Sequence, residues 1–187
     1  MIVGILLAAG RGTRFGTRKL LHPLADGTLM VLAALRNLSP SVDQVVVVVR
    51  HDASELIQVL SAEKADILPC PKADLGMGAS LACGVCAAPD ADAWLIALAD
   101  MPYVPSTVSA ALSAQLNAGA QLVAPTYQEQ RGHPVGFGRM FYSELTVLSA
   151  DFGARQILEQ HADQLRLIAV DEPGILRDID TPEDLLA

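Results

Sequence analysis

Hydrophobic and polar positions along this chain follow two periodicities in turn. Short apolar runs, rich in β-branched residues, predict buried strands, and amphipathic stretches of helical length lie between them. The clearest run is Val45 to Val49, inside a strand predicted over 42–50. This alternation is typical of βαβ units, so the pattern predicts a layered α/β fold.

The pattern also sets approximate bounds for the elements. Asp52 followed by Glu55 has the spacing of a capping box, and Ser106 can cap a second helix. Thr181 followed by Pro182 and two acids predicts the start of a last helix. The predicted strands are 2–9, 42–50, 66–69, 93–99, 121–125, 133–137 and 165–170, and the other predicted helices are 28–38, 52–62, 77–88, 106–118, 139–148 and 153–161.

Length and composition narrow the class of protein. A chain of 187 residues that is 51% hydrophobic, without a linker-like segment, predicts one domain over 1–187. Its net charge of -8 argues against nucleic-acid binding, which needs a basic face. The first apolar run is too short for a membrane span and lacks the features of a secretion signal, so we expect a cytoplasmic protein without a membrane partner.

The cysteines favour neither a disulfide framework nor a metal site. There are three of them, an odd number. Cys83 and Cys86 form a C-x-x-C, but the segment is predicted to be helical and a second ligand pair at zinc-site spacing is missing. We interpret all three as packing residues.

A basic, glycine-rich loop follows the first predicted strand. Residues 10–19 contain four of the 13 Lys and Arg residues of an otherwise acidic chain. The spacing fits neither a Walker A loop nor the G-x-G-x-x-G of a dinucleotide fold, because Gly10, Gly12 and Gly16 are too widely spaced and no helix can follow directly. Arg14 and Lys19 are the first candidates for triphosphate binding, and a solvated basic turn is the alternative.

Asp100 ends a buried strand and precedes a proline turn. Mg²⁺ usually takes one or two protein carboxylates plus phosphate oxygens, so Asp100 is a candidate metal ligand, with a turn aspartate as the alternative. Asp178 and Asp180 are candidates for a second carboxylate. Right-handed crossovers place the loops after parallel strands at one edge of the sheet, which would bring the basic loop near Asp100.

Six motifs, in this order, resemble those of the MobA-like nucleotidyltransferases, and among these the cytidylyltransferases of the molybdenum cofactor. The motifs are Leu7-Ala8-Ala9-Gly10 with Arg14, Gly16 and Lys19; Gly76-Met77-Gly78-Ala79-Ser80-Leu81; Leu98-Ala99-Asp100-Met101-Pro102; Arg131-Gly132-His133-Pro134-Val135; Asp151-Phe152-Gly153-Ala154-Arg155; and Asp178-Ile179-Asp180-Thr181-Pro182-Glu183-Asp184-Leu185. Met101 and Ala150 depart from the family pattern, which usually has Gln and Gly there.

The resemblance implies a three-layer αβα sandwich with a mostly parallel sheet, like that of the nucleotide-diphospho-sugar transferases. It implies catalytic roles for Arg14, Lys19 and Asp100, with Mg²⁺ held by Asp100 and Asp180. Two binding sets follow. The nucleotide would be bound by Leu7, Ala8, Ala9, Gly10, Gly12, Arg14, Lys19 and Ser80, and the acceptor by His133, Asp151, Arg155, Asp178 and Asp180.

The activity implied is transfer of CMP from CTP to the phosphate of the molybdopterin cofactor, with release of pyrophosphate. Ala9 favours CTP over GTP, because the guanylyl branch tends to have Gly at that position. An apo-molybdoenzyme is a possible partner. The alternatives are a guanylyltransferase or sugar-phosphate nucleotidyltransferase of the same fold, a non-catalytic chaperone that binds the cofactor, and a dehydrogenase.

Overall fold

The computed structural model describes residues 1–12, 15–16, 18–150 and 153–185. Within these ranges the chain forms one mixed sheet of eight strands, in the order β3-β2-β1-β4-β7-β5, with β6 and β8 also pairing with β5. The strands are β1 (Ile2–Ala8), β2 (Gln44–Arg50), β3 (Asp66–Cys70), β4 (Ala93–Leu98), β5 (Leu122–Tyr127), β6 (Gln130–Arg131), β7 (Val135–Gly138) and β8 (Leu165–Ala169).

Four parallel strands, β3, β2, β1 and β4, lie next to one another. β1 is their centre, and its Leu7 is level with Val48 of β2 and Leu98 of β4. Only β6 and β7 run antiparallel to their neighbours within the described chain, so the sheet is mostly parallel. The carboxyl ends of β1, β2 and β4 therefore meet at one edge of the sheet.

Helices cover both faces of the sheet. Successive side chains of a strand point to opposite faces, so a continuous valine run supplies both cores. Val45, Val47 and Val49 of β2 belong to one apolar cluster, and Val46 and Val48 belong to the other. The first cluster also contains residues of α1 (Met30–Leu38), α2 (Ser54–Leu60) and α4 (Ser106–Asn117). The second contains residues of α3 (Met77–Ala87), α5 (Tyr142–Thr146) and α6 (Arg155–Gln160). The predicted three-layer sandwich is therefore confirmed.

The described α-helices are shorter than predicted at several ends. Between them lie short 3-10 turns at Lys19–Leu21, Ser39–Ser41, Ala73–Leu75, Arg139–Phe141, Pro173–Leu176 and Pro182–Leu185. The α-helices are α1 (Met30–Leu38), α2 (Ser54–Leu60), α3 (Met77–Ala87), α4 (Ser106–Asn117), α5 (Tyr142–Thr146) and α6 (Arg155–Gln160). None of the described helices is both long and apolar enough to cross a bilayer.

Two predicted helix caps are wrong. The Asp52 carboxylate does not cap α2, because it accepts two bonds of 3.0 Å from the Arg50 guanidinium at the end of β2. Ser106 is the first residue of α4, and Pro105 occupies the cap position. At α2 a neighbouring guanidinium takes the predicted cap side chain, and α4 begins one residue earlier than a Ser106 cap implies.

The segment after Thr181 begins as predicted with Pro182, but its described part is a 3-10 turn. Asp184 reaches back to this turn and accepts bonds from the backbone N–H groups of Thr181 at 2.7 Å and Asp180 at 2.9 Å. These bonds lower the pKa of the Asp184 carboxyl. The turn thereby fixes the backbone on both sides of Asp180.

The cysteines are free thiols. Cys70 is buried at the end of β3, Cys83 of α3 is half-buried and Cys86 is exposed. Burial raises the pKa of Cys83 to about 12. The thiols of Cys70 and Cys83 therefore agree with the predicted packing role, whereas Cys86 faces solvent.

Candidate active site

A cavity of about 660 Å³ opens at the edge where β1, β2 and β4 end. This is the edge at which open α/β sheets bind ligands. Nine residues predicted to bind nucleotide or metal line it: Leu7, Ala8, Ala9, Gly10, Gly12, Lys19, Ser80, Asp100 and Asp180. Arg14, also predicted to contact the nucleotide, lies outside the described residues.

Lys19 is the most constrained basic group of the cavity. Its Nζ donates to Oδ2 of Asp100 at 2.9 Å and to Oδ1 of Asp180 at 3.1 Å. Only 8% of its side chain is exposed, against 30% for Asp100 and 32% for Asp180. The contact joins residues from the first loop, the end of β4 and the carboxyl-terminal segment, so the predicted proximity of the basic loop to Asp100 is observed.

The loop places Lys19 by a tight turn and a close approach. Gly12 has φ +59°, in the left-handed region that favours glycine, and a Cβ there would lie 3.1 Å from Cβ of Lys19. Lys19 then begins a 3-10 turn whose Leu20 and Leu21 pack against the first apolar cluster. The lysine is thus anchored by its neighbours, and its aliphatic stem passes under Gly12.

The two carboxylates are fixed by their own segments. Asp100 lies two residues after the end of β4, and its carbonyl accepts a bond of 2.9 Å from the N–H of Ile179. Ile179 is buried, and Asp180 follows it. This backbone link holds the segment of Asp180 against the end of β4, which explains why residues 80 positions apart share one lysine.

The donor set fits a divalent cation that is shared with a substrate. Among the described residues no group of three or more His, Cys, Asp or Glu side chains could hold a metal by itself. Asp100 and Asp180 are two carboxylates facing one cavity, and Mg²⁺ typically takes one or two carboxylates and completes its shell with water and phosphate oxygens. The arrangement therefore suits a hard cation that binds with a phosphate.

Ion pairs also form an exposed rim around the cavity. The Arg18 guanidinium donates to Glu55 at 2.7 Å, and that of Arg11 donates to Asp74 at 2.8 Å. The Arg50 guanidinium contacts both Asp52 and Asp74. Its hydrogen bond to each carboxylate is the largest cause of that carboxyl's lowered pKa. Each described basic residue lining the cavity is therefore paired with an acid that also lines it.

The amino-terminal end of α3 forms another wall, to which Gly76, Met77 and Ser80 contribute. Ser80 is buried, and its hydroxyl donates to the carbonyl of Gly76 at 3.4 Å. Gly78 must lack a side chain, because a Cβ there would lie 2.9 Å from the carbonyl oxygens of Ser149 and Ala150. Its N–H donates to Ala150 at 2.8 Å, so a loop from the carboxyl-terminal half covers this helix end.

Ala150 explains one departure from the family pattern. Its φ is +61°, a conformation that glycine adopts without steric cost and alanine does not. The glycine usual at this position therefore has a conformational reason. This chain adopts the left-handed conformation with an alanine.

Of the predicted acceptor residues that the structure describes, only Asp180 lines this cavity. His133 lines a separate cavity of about 10 Å³, and its Nδ1 has no hydrogen-bond partner in the described part of the chain. Burial lowers the pKa of His133. Arg155 is exposed and pairs with Glu159 at 2.8 Å, Asp178 is exposed, and Asp151 lies outside the described residues. The acceptor contacts of these residues stay predictions.

The rim was not predicted. Arg11 and Arg18 belong to the basic loop, but Arg50, Asp52, Glu55 and Asp74 come from other segments. One signal was present: Arg50 ends the strand next to β1, so its side chain lies at the same edge as the loop. The partner of Arg50 at position 74 follows no local spacing and could not be read from the sequence.

Comparison with known proteins defines the class of this fold and site. The model of the MobA-like NTP transferase domain matches residues 4–165. The chain belongs to this family of nucleotidyltransferases, and the resemblance seen in its motifs is confirmed.

Relatives named for different roles are similar to this chain in sequence. It is 31% identical over 195 residues to the purine catabolism protein PucB of Bacillus subtilis, covering 98% of this chain and 93% of PucB. It is 40% identical over 121 residues to a molybdenum cofactor guanylyltransferase of Burkholderia ambifaria, covering 63% of this chain and 57% of that protein.

A solved structure of similar shape contains manganese. The complex of Rv0371c from Mycobacterium tuberculosis with manganese has a TM-score of 0.81 and 25% identity, covering 98% of this chain and 95% of that protein.

Proposed function

We propose that this protein transfers CMP from CTP to the phosphate of a molybdopterin cofactor, with release of pyrophosphate and with Mg²⁺ bound at Asp100 and Asp180. Family membership supports nucleotidyl transfer, and the cofactor guanylyltransferase among the relatives supports a molybdopterin acceptor. The manganese complex of Rv0371c supports a divalent cation in this fold.

One observation carries the proposal: the ammonium of Lys19 and two carboxylates meet within 3.1 Å at the cavity edge where β1 and β4 end. A triphosphate needs positive charge, and a divalent cation needs carboxylate oxygen. Both are present on one wall of a cavity of about 660 Å³, which is within the range of small-molecule sites.

The chemistry needs positioning and charge neutralisation. A phosphate oxygen of the acceptor attacks the α-phosphorus of CTP in line with the departing pyrophosphate, so no covalent enzyme intermediate is required. The backbone of residues 8–12 would hold the triphosphate, and Lys19 would neutralise charge that develops on pyrophosphate. Asp100 and Asp180 would hold a divalent ion, which would supply further neutralisation of phosphate charge.

Pyrophosphate release tests this function directly. The protein is incubated with CTP, GTP, ATP or UTP, each with molybdopterin cofactor or a sugar phosphate, with and without Mg²⁺. We expect pyrophosphate only with CTP, cofactor and Mg²⁺ together. Cofactor binding without pyrophosphate would indicate a chaperone, and release with a sugar phosphate would indicate a different acceptor.

Guanylyl transfer is the second candidate, because the guanylyltransferase relative is 40% identical to this chain where the two align. Ala9 separates the two candidates. It is buried, it lines the cavity, and the guanylyl branch tends to have Gly there. We expect Ala9→Gly to lower the ratio of kcat/KM for CTP to that for GTP, and an unchanged ratio would assign base selection to other residues.

A further inference from the structure

Lys19 contacts the same carboxylates that the proposed function assigns to the metal. Its Nζ lies 2.9 Å from Oδ2 of Asp100 and 3.1 Å from Oδ1 of Asp180. Because a single ammonium joins both groups, the two oxygens lie no more than about 6 Å apart by these distances. An incoming cation meets a positive charge already placed between its ligands.

The position of this charge is set by the loop and not by chance contact. The stem of Lys19 is buried under Gly12, and the following residues pack against the first apolar cluster. If the ammonium of Lys19 left the carboxylates for bulk water, most of the stem would stay covered, because its Cβ and Cδ face Gly12. The ammonium can nevertheless move, since lysine carries it on four flexible carbons.

Lysine and a divalent ion compete for these oxygens in two ways. An N–H that donates to a carboxylate oxygen uses a lone pair that a metal would need, and two cations at such short distance repel each other. Asp100 and Asp180 are about a third exposed, so a metal can approach them from the cavity. Lys19 therefore weakens metal binding for as long as it stays between them.

A triphosphate removes this competition. If it binds beside residues 10–12, on the loop that carries Lys19, its oxygens offer the ammonium another anionic partner. We infer that Lys19 is a positioning residue that couples the two ligands: it holds the metal carboxylates closed and releases them when triphosphate engages the loop. This inference rests on the proposed function for the identity of the nucleotide.

The coupling has a thermodynamic signature that can be measured without turnover. Because Lys19 competes with the metal for the same oxygens, it lowers metal affinity when nucleotide is missing, and by linkage nucleotide and metal then strengthen each other's binding. Replacing Lys19 by a neutral residue should therefore tighten metal binding to the protein alone. A lysine that helped hold the metal by ordering its ligands would instead make that affinity weaker when removed.

The test measures Mn²⁺ binding without nucleotide, and the electron paramagnetic resonance signal of the free ion reports how much Mn²⁺ is bound. Wild type is compared with Lys19→Met and with the control Arg18→Met, which removes the adjacent cation from the exposed rim. We expect Lys19→Met to bind Mn²⁺ at least about tenfold more tightly, within the range of about 5–150-fold usual for coupled sites. Arg18→Met should stay within about twofold of wild type.

A third variant locates the ion. Lys19→Met combined with Asp100→Asn should lose the gain, because a ligand is then missing. Unchanged or weaker Mn²⁺ binding by Lys19→Met would overturn the inference, and so would a gain that survives Asp100→Asn. If circular dichroism shows that Lys19→Met does not fold, Lys19→Gln carries the same comparison with a neutral hydrogen-bonding side chain.

The Mn²⁺ measurement and the pyrophosphate assay can fail independently of each other. A protein that transfers no nucleotide in the pyrophosphate assay can still show tighter Mn²⁺ binding in Lys19→Met. An active cytidylyltransferase can equally show no such gain. The two measurements share no readout.

Discussion

Arg18 and Lys19 are neighbours in the sequence and lie in opposite environments. The side chain of Arg18 is 68% exposed and pairs with Glu55, which is itself 54% exposed. Lys19 is 8% exposed and is shared by Asp100 and Asp180. One basic loop thus supplies both a solvated ion pair and a largely desolvated one.

The difference shows that positive charge in a loop is an incomplete predictor of function. An exposed pair contributes about 0–1 kcal/mol, because water and salt screen it. Removing one partner of a buried pair typically costs about 3–5 kcal/mol, and the partial exposure of Asp100 and Asp180 reduces that figure here. Burial, and not charge alone, should therefore separate the catalytic cation from the rim.

The largest effect is expected from Asp100→Asn. This change removes the charge of a carboxylate that contacts Lys19 and preserves the size of the side chain. Metal neutralisation contributes several kcal/mol to such reactions, so kcat/KM should fall by at least about 10³. The measurement is pyrophosphate release against Mg²⁺ concentration, and a titration curve like that of wild type would place the cation elsewhere.

Lys19→Ala should have the next largest effect. Loss of the ammonium removes charge neutralisation at the triphosphate, and we expect kcat/KM to fall on the order of 10² or more. Circular dichroism should show an intact fold, since Asp100 and Asp180 are each about a third exposed and can be solvated. Near-normal turnover would remove Lys19 from the site and erase the difference between the two neighbours.

The proximity of Lys19 and Asp100 was predictable because the elements that carry them follow general rules. β1 and β4 are apolar runs, parallel strands end at a common edge, and Asp100 lies in the turn just after β4. The position of Asp180 could not be derived in this way. It depends on the backbone bond from Ile179 to Asp100, which joins segments far apart in sequence.

The rim was unpredictable for a different reason. Asp52 has the spacing of a helix cap, but Arg50 ends a strand two residues earlier and takes its carboxylate. Local spacing describes what a side chain can do, whereas long-range neighbours decide what it does. The antiparallel direction of β7 was missed similarly, because a strand of four residues carries no signal of direction.

Arg50→Met tests an ion pair in which the cation is mostly buried and the acids are about half exposed. Arg50 is 15% exposed, but its partners Asp52 and Asp74 are mostly solvated, so Tm should fall by only about 2–4 °C. Arg50 lowers the pKa of both carboxyls in the folded protein. Around pH 3.9 and down to the lowered pKa values the unfolded chain therefore binds more protons, and the stability from these pairs is lost as pH falls through that range.

Thermal melts between pH 2 and 7 measure this effect. Wild type should lose stability in acid more steeply than Arg50→Met, and the two curves should converge at the lowest pH. Parallel curves would show that Arg50 does not set the acid response, and the rim would then owe its stability to packing.

The smallest effect is expected from Arg18→Ala, the matched partner of Lys19→Ala. Its guanidinium is solvated and bonded to Glu55, so we expect kcat/KM to change by less than about threefold and Tm by less than about 2 °C. Any difference should shrink in 0.5 M salt, because screening acts on exposed pairs first. Glu55→Gln should behave in the same way. A loss of about 10² in Arg18→Ala would mean that Arg18 leaves Glu55 for the triphosphate, and exposure in the structure would then be a poor guide to which cation acts.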